Sequence, residues 1–177
     1  QCLTNELVRQ ADRLENVEIM HMVAMGQSPY CQPGMEKHFR HNALFVGGST
    51  RKAVEEGRAD YTPCFFHEAP KLFKEGLLKV DVVFLQLSEP DENGNCSFGI
   101  SVDYTQPAAE AATLKIAQIN KNMPYTYGNG INIKDIDYIV EKDEPLIELQ
   151  PPHIGDVEKQ IGGYVASLIH DGDTLQL

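Results

Sequence analysis

The sequence predicts an α/β domain, and three observations carry the prediction. Apolar residues recur at helical spacing in some segments and at strand spacing in others. Clusters of Gly, Pro and Asn fall where the period changes. Residues 80–87 carry apolar side chains on both faces, as a central strand covered on both sides does.

Taken in order, Leu3, Leu7, Ala11 and Leu14 share one helical face, so residues 3–15 read as a helix. Residues 17–25 alternate as a strand, and Gly26-Gln27-Ser28-Pro29-Tyr30 with Pro33-Gly34 reads as a loop. Ala43-Leu44-Phe45-Val46 reads as a short buried strand ended by Gly47-Gly48. Ser49 can cap a helix that runs to Glu56, with Gly57 just past its end. A second short helix is expected over residues 69–74, closed by Gly76. After the strand at 80–87 comes a polar turn over 88–95, and residues 96–102 resume a strand. Residues 106–120 read as the best helix in the chain, with Pro107 tolerated in the first turn and Leu114, Ala117 and Ile119 on the apolar side. Residues 136–140 read as a strand, Pro145, Pro151 and Pro152 mark an extended segment, and residues 154–169 read as a helix weakened by Gly162-Gly163. Asp171-Gly172 turns the chain into Thr174-Leu175-Gln176-Leu177, a strand pattern that stops without a turn or polar tail. The expectation is a domain incomplete at both ends.

A length of 177 residues is enough for one ordinary domain with a sizeable core. The charge is −11, from 15 Lys plus Arg against 26 Asp plus Glu, which argues against a basic footprint for nucleic acid. No apolar run approaches the ~18 residues of a membrane span. Cys2, Cys31, Cys64 and Cys96 stand singly, so the thiols read as reduced and the compartment as cytoplasmic or an organelle matrix. Neither a dinucleotide fingerprint nor a phosphate-loop Gly-Lys-Ser/Thr occurs.

Three constellations could carry chemistry. Lys37-His38-Phe39-Arg40-His41 with Arg51 and Arg58 is either a phosphate-binding cluster or a solvated basic loop. His38 with His41, Cys64 with His67, and also His21 and Cys31, are metal-ligand types, though no standard spacing joins them. Cys64 with His67 could equally be a nucleophile and its base, with no orienting third group in view. The third is Asn93-Gly94-Asn95-Cys96-Ser97-Phe98-Gly99-Ile100-Ser101-Val102-Asp103, whose glycines either admit a ligand close to the backbone or mark a bulge at Gly99. The carboxylates, including Glu68, Glu110 and Glu144, read as surface groups.

Several segments together resemble one family. They are Phe39-Arg40-His41-Asn42-Ala43-Leu44-Phe45-Val46-Gly47-Gly48, Gly57-Arg58-Ala59-Asp60-Tyr61-Thr62-Pro63, Val80-Asp81-Val82 with Ser88-Glu89-Pro90-Asp91-Glu92-Asn93-Gly94, Ser101-Val102-Asp103-Tyr104-Thr105, Asn120-Lys121-Asn122-Met123-Pro124 and Asp171-Gly172-Asp173-Thr174-Leu175-Gln176-Leu177. They resemble the N-terminal half of the acetyl-CoA hydrolase/transferase family, and within it most the 4-hydroxybutyrate CoA-transferases. The resemblance implies a CoA-transferase-type (NagB/RpiA-like) α/β domain, a largely parallel sheet flanked by helices, with residues 1–177 as a truncated N-terminal domain and a second domain absent.

The activity so implied moves CoA from an acyl-CoA to a short-chain carboxylate through an acyl-glutamyl anhydride and a glutamyl-CoA thioester. Coenzyme A is then a substrate, no metal is needed, and a homo-oligomer is expected, with neither nucleic acid nor membrane as partner. The family's Gln-Leu-Gly-Ile-Gly run matches here only at Gln176 and Leu177, which the resemblance assigns to the CoA site. No glutamate here matches the nucleophile's motif, so no catalytic residue is assigned in this chain. Gly99, Ile100, Ser101 and Val102 become candidate lining of the acyl or CoA-thiol region, because ligands sit at strand ends in α/β sheets. Arg40 and His41 shift toward a structural or interdomain role. The loop at Tyr127-Gly128-Asn129-Gly130 is about a residue shorter than the family pattern. An acyl-CoA hydrolase, and a silent fragment completed by a partner chain, stand as the alternatives.

Overall fold

Three sheets organise residues 1–147, the first of two units into which the chain divides; the second is residues 148–177. The computed structural model describes residues 1–176. Helix α1 (Cys2–Arg9) and a 3-10 turn at Ala11–Arg13 open the chain, shorter than the expected single helix over 3–15. The intended apolar face nonetheless forms, since Leu7, Ala11 and Leu14 pack in one core with Tyr30 and Phe39.

The first sheet is parallel, in the order β1 (Val17–His21), β2 (Phe39–Ala43) and β3 (Ala59–Tyr61). Its middle strand corrects the expected strand at 43–46. Residues 39–43 alternate buried Phe39, His41 and Ala43 with Arg40 and Asn42, while Phe45 lies beyond the strand and is exposed. The polar alternates hid the strand: Arg40 and Asn42 are held by Asp60 and Glu18 on the neighbouring strands. Helix α2 (Arg51–Glu55) links β2 to β3 and α3 (Ala69–Lys74) follows, both close to their expected positions.

The second sheet is also parallel, in the order β4 (Val82–Leu87), β6 (Leu114–Ile119) and β8 (Tyr138–Glu141). A small antiparallel pair, β5 (Asn95–Ser97) with β7 (Gly130–Asn132), stands beside it. Helix α4 (Thr105–Ala111) is shorter than the helix expected over 106–120. Leu114 and Ala117 fit a helical spacing, but a short apolar run fits either period. Tertiary pairing decides it: the β-branched Ile116 and Ile119 sit in a strand paired on both sides.

β6, and not β4, is therefore the middle strand. β4 turns Val83, Leu85 and Leu87 into the core with Cys96, Phe98 and Ala109, while Val82 and Phe84 remain 47% and 38% exposed on the other face. The expectation of cover on both faces of residues 80–87 does not hold in these residues. A third core, of Met22, Leu44, Ala69, Phe73 and Ala108, packs α3 with α4.

In the second unit, α5 (Asp156–Ala166) lies within the expected 154–169 helix and runs through both glycines. Its first turn is closed by Glu158, which accepts the Gly155 N–H at 2.9 Å. Thr174, Leu175 and Gln176 are exposed and form no strand, because a strand needs a ladder partner and none reaches them among the described residues. Leu177 lies outside the described residues.

Candidate functional site

Parallel α/β sheets bind ligands outside the carboxyl ends of their strands. At that end of the second sheet the chain places Ser88 just after β4 and Asn120 just after β6, and both are fully buried. Asn120 is saturated. Its amide N–H groups donate to Gln86 Oε1 and to the Glu144 carbonyl, each at 2.8 Å, and its Oδ1 accepts from the Asn122 and Glu144 N–H groups at 3.1 and 3.2 Å. Gln118, buried beside it, donates to the Lys142 carbonyl at 2.8 Å and accepts from the Cys2 thiol at 3.0 Å. Two side-chain amides thus tie the end of β6 to the segment that follows β8.

The expected lining residues Gly99, Ile100, Ser101 and Val102 follow β5 and begin with a tight turn, not with a bulged strand. The Ser101 N–H donates to the Phe98 carbonyl at 3.0 Å, and Gly99 takes φ +58°. Two hydroxyls support this turn. Ser97 Oγ accepts the Gly99 and Thr126 N–H groups at 3.0 and 3.1 Å, and Ser88 Oγ accepts the Ser97 N–H at 2.8 Å. Ile100 and Val102 project as exposed apolar side chains, 62% and 43% accessible.

The carboxylates held in this network accept hydrogen bonds and stay ionised. Lys142, which also bonds Glu144 at 3.0 Å, holds that carboxyl below the ordinary range, with Gln118 adding to it. Asp91 is lowered chiefly by the Asn95 N–H, and Asn93 and Tyr125 donate to it as well. Glu110 accepts from Gln106 and Glu68 from the Phe65 N–H, so both serve local structure.

Four members of the basic cluster, His38, Arg40, His41 and Arg58, are engaged in structural contacts. His38 and His41 are buried, and each imidazole Nδ1 hydrogen-bonds a carbonyl, of Leu14 and Ile19 respectively, at 2.8 Å. Arg40 is paired with Asp60 and donates to the Gly57 carbonyl at 2.9 Å. Arg58 is paired with Glu56 at 2.6 Å and lies near Glu36. The metal-ligand types scatter likewise: among the described residues no three of His, Cys, Asp and Glu gather as a ligand set. Burial and the neighbouring Glu68 push the Cys64 thiol up, which works against a thiolate nucleophile. All four cysteines are free. No helix among the described residues is long and apolar enough to cross a membrane.

Sequence reasoning missed the supports of the turn: Ser88, Ser97, Asn120, Met123 and Thr126. One signal was present. Asn120 stands directly after an apolar run and begins the Asn-Lys-Asn-Met-Pro segment, but a helix drawn over 106–120 disguised it as a helix end.

Comparison with known proteins agrees with this architecture. Residues 1–150 match the family model "Acetyl-CoA hydrolase/transferase N-terminal domain". The chain is 64% identical over 176 residues to a 4-hydroxybutyrate coenzyme A transferase of Clostridium kluyveri, covering 99% of this chain and 41% of that one. It is similar to the solved 4-hydroxybutyrate CoA-transferase of Porphyromonas gingivalis, with 36% identity and a TM-score of 0.66 over 97% of this chain and 46% of that one. It is also similar to RipA of Yersinia pestis, with 26% identity and a TM-score of 0.86 over 96% of this chain and 42% of that one. The chain thus spans less than half the length of each of these relatives. With a family model matching most of its residues on a parallel α/β frame of the same kind, the chain belongs to the acetyl-CoA hydrolase/transferase family.

Proposed function

We propose that this chain is the N-terminal domain of a CoA-transferase that moves CoA between an acyl-CoA (acetyl-CoA, 4-hydroxybutyryl-CoA or similar) and a short-chain carboxylate. The observation that carries the reading is the 64% identity to the Clostridium kluyveri enzyme, which extends over nearly the whole chain. The site geometry is compatible with it. A hydrogen-bonded turn with apolar Ile100 and Val102 beyond the strand end suits an acyl-thioester end.

On this reading a glutamate from sequence that the relatives carry beyond the matched part attacks the thioester carbonyl and releases CoA thiolate. The thiolate then attacks the glutamyl carbonyl of the anhydride, which frees the acid and leaves a glutamyl-CoA thioester; the acceptor carboxylate reverses both steps. Splitting the exchange this way replaces one difficult step by easier ones. Gln176 and Leu177 belong to the CoA site, and Gly99, Ile100, Ser101 and Val102 face the acyl end.

A second reading, an acyl-CoA hydrolase, has the family description in its favour, since that names both activities. The test is to give the complete enzyme acetyl-CoA with and without 4-hydroxybutyrate. A transferase forms 4-hydroxybutyryl-CoA and releases little free CoA without the acceptor. Free CoA at the same rate in both tubes makes it a hydrolase, and no turnover of acyl-CoA overturns both readings.

A further inference from the structure

Met123, one of the supports of the 98–101 turn, lies directly under it. It is buried, 3% accessible, in the turn that follows β6. Its own N–H donates to the Asn120 carbonyl at 2.9 Å, so the saturated Asn120 fixes where its side chain begins. Its sulfur accepts the Ile100 N–H at 3.5 Å. A Cβ at position 99 would collide with the Met123 sulfur, would stand 2.6 Å from its Cγ, and would stand 2.9 Å from the Pro124 carbonyl oxygen. Gly99 is thus required twice, by its positive φ and by the thioether pressed against it. Met123 fills the space under the turn and at the same time holds one of its N–H groups.

A thioether is a weak acceptor on a flexible stem, suited to filling an irregular gap. Here the gap lies beneath Gly99 and Ile100, at the start of the segment that the proposed function places at the acyl end. We propose that Met123 is a specificity-determining positioning residue. It sets the height of the 98–101 turn, and through that the lie of Ile100 and Val102 against the acyl chain. The acyl-contact part of this inference rests on the proposed CoA-ester function; the support of the turn does not.

The complete enzyme with Met123→Leu tests it, because Leu keeps most of the bulk and removes the sulfur acceptor. Ile100→Ala serves as the comparison, since it trims an exposed side chain and leaves the packing alone. Two quantities are read: amide hydrogen exchange in a peptide covering residues 98–104, and kcat and KM for acetyl-CoA and butyryl-CoA. The expected result for Met123→Leu is roughly tenfold faster exchange in that peptide at a nearly unchanged melting temperature. The ratio of kcat/KM between the two acyl-CoAs shifts by about fivefold, carried mainly by KM, and Ile100→Ala shifts the same ratio.

Unchanged exchange in Met123→Leu overturns the positioning role. Faster exchange with both acyl-CoAs slowed alike, mainly in kcat, overturns the specificity role and leaves Met123 a packing residue. A wild-type enzyme that turns over neither acyl-CoA overturns the proposed function and with it the acyl contact, while the exchange measurement still decides whether Met123 holds the turn.

Discussion

The two parallel sheets bury polar groups of different kinds. The first buries imidazoles: His38 and His41 lie in its interior, and half-buried His21 stacks on His41 with ring centroids 4.3 Å apart. His21 Nε2 meets the Tyr30 hydroxyl at 2.5 Å, but His21 Nδ1 and His41 Nε2 are buried with no hydrogen-bond partner. The second sheet buries amides and hydroxyls, Gln118, Asn120, Ser88 and Ser97, and Asn120 uses every donor and acceptor it has. An imidazole can take a proton near neutral pH, and a side-chain amide cannot. The first sheet therefore responds to pH through its imidazoles. The second, which supports the candidate site, titrates through carboxylates such as Glu144 and Asp91, held below their ordinary range, and is intolerant of losing any one partner.

The largest effect should come from breaking that second network. Asn120→Leu leaves Gln86 Oε1, the Glu144 carbonyl and the Asn122 and Glu144 N–H groups without their partner. Buried groups left unpaired cost about 1–3 kcal/mol each, and water will recover part of that. A net loss of about 4 kcal/mol is expected, seen as a fall in melting temperature of roughly 8–15 °C. A loss under about 1 kcal/mol would mean that solvent fills the site easily, and the contrast between the two sheets would collapse.

Next comes the pH response of the first sheet. Burial lowers the His21 pKa to about 4, and the stacked His41 adds to it; burial also lowers His41. The facing hydroxyls do not compensate: burial pushes the Tyr30 phenol up to about 12 and raises Tyr104, whose hydroxyl accepts the Met22 N–H. A histidine whose folded pKa lies below its unfolded value takes up its proton preferentially when unfolded. Its contribution is complete above about pH 6.5 and is lost as pH falls toward about 4, up to about 3 kcal/mol for His21. Melting temperatures across that window should fall less steeply for His21→Phe, which keeps a ring against His41. Asn120→Leu should keep the wild-type slope. Equal slopes in wild type and His21→Phe would remove the first sheet's claim to pH sensitivity.

These contrasts also show what could be read from the residues alone. The α/β class, α2 and α3 were legible because apolar period and end glycines agree there. β6 was not legible, because Leu114 and Ala117 satisfy a helical spacing as well as a strand, and only pairing with β4 and β8 separates the two. β2 was displaced because Arg40 and Asn42 interrupt its apolar character on the face where Asp60 and Glu18 await them. The 98–101 segment could be singled out from its glycine and its resemblance to the family, but as part of a strand with a bulge at Gly99 and not as a turn. Its supports could not, since Ser97, Met123 and Thr126 converge on it from separate segments, and the distance between 97 and 126 in sequence hides a contact of 2.9 Å.

The smallest effect belongs to the charges that the sequence gathers into an apparent anion-binding cluster. Arg40 and Asp60 pair across β2 and β3, with side chains 43% and 55% exposed. Each therefore keeps much of its hydration, and salt screens the attraction between them. A double-mutant cycle with Arg40→Ala and Asp60→Ala should give a coupling below about 1 kcal/mol, smaller still in 1 M salt, where the Debye length is about 3 Å. Since Asp60 already neutralises Arg40, inorganic phosphate at millimolar concentration should leave the melting temperature unchanged in wild type. Phosphate should raise it, if anywhere, only in Asp60→Ala, where the guanidinium is released. A phosphate-induced rise in wild type would reverse the argument, because it would require cations that the carboxylates of the first sheet leave free.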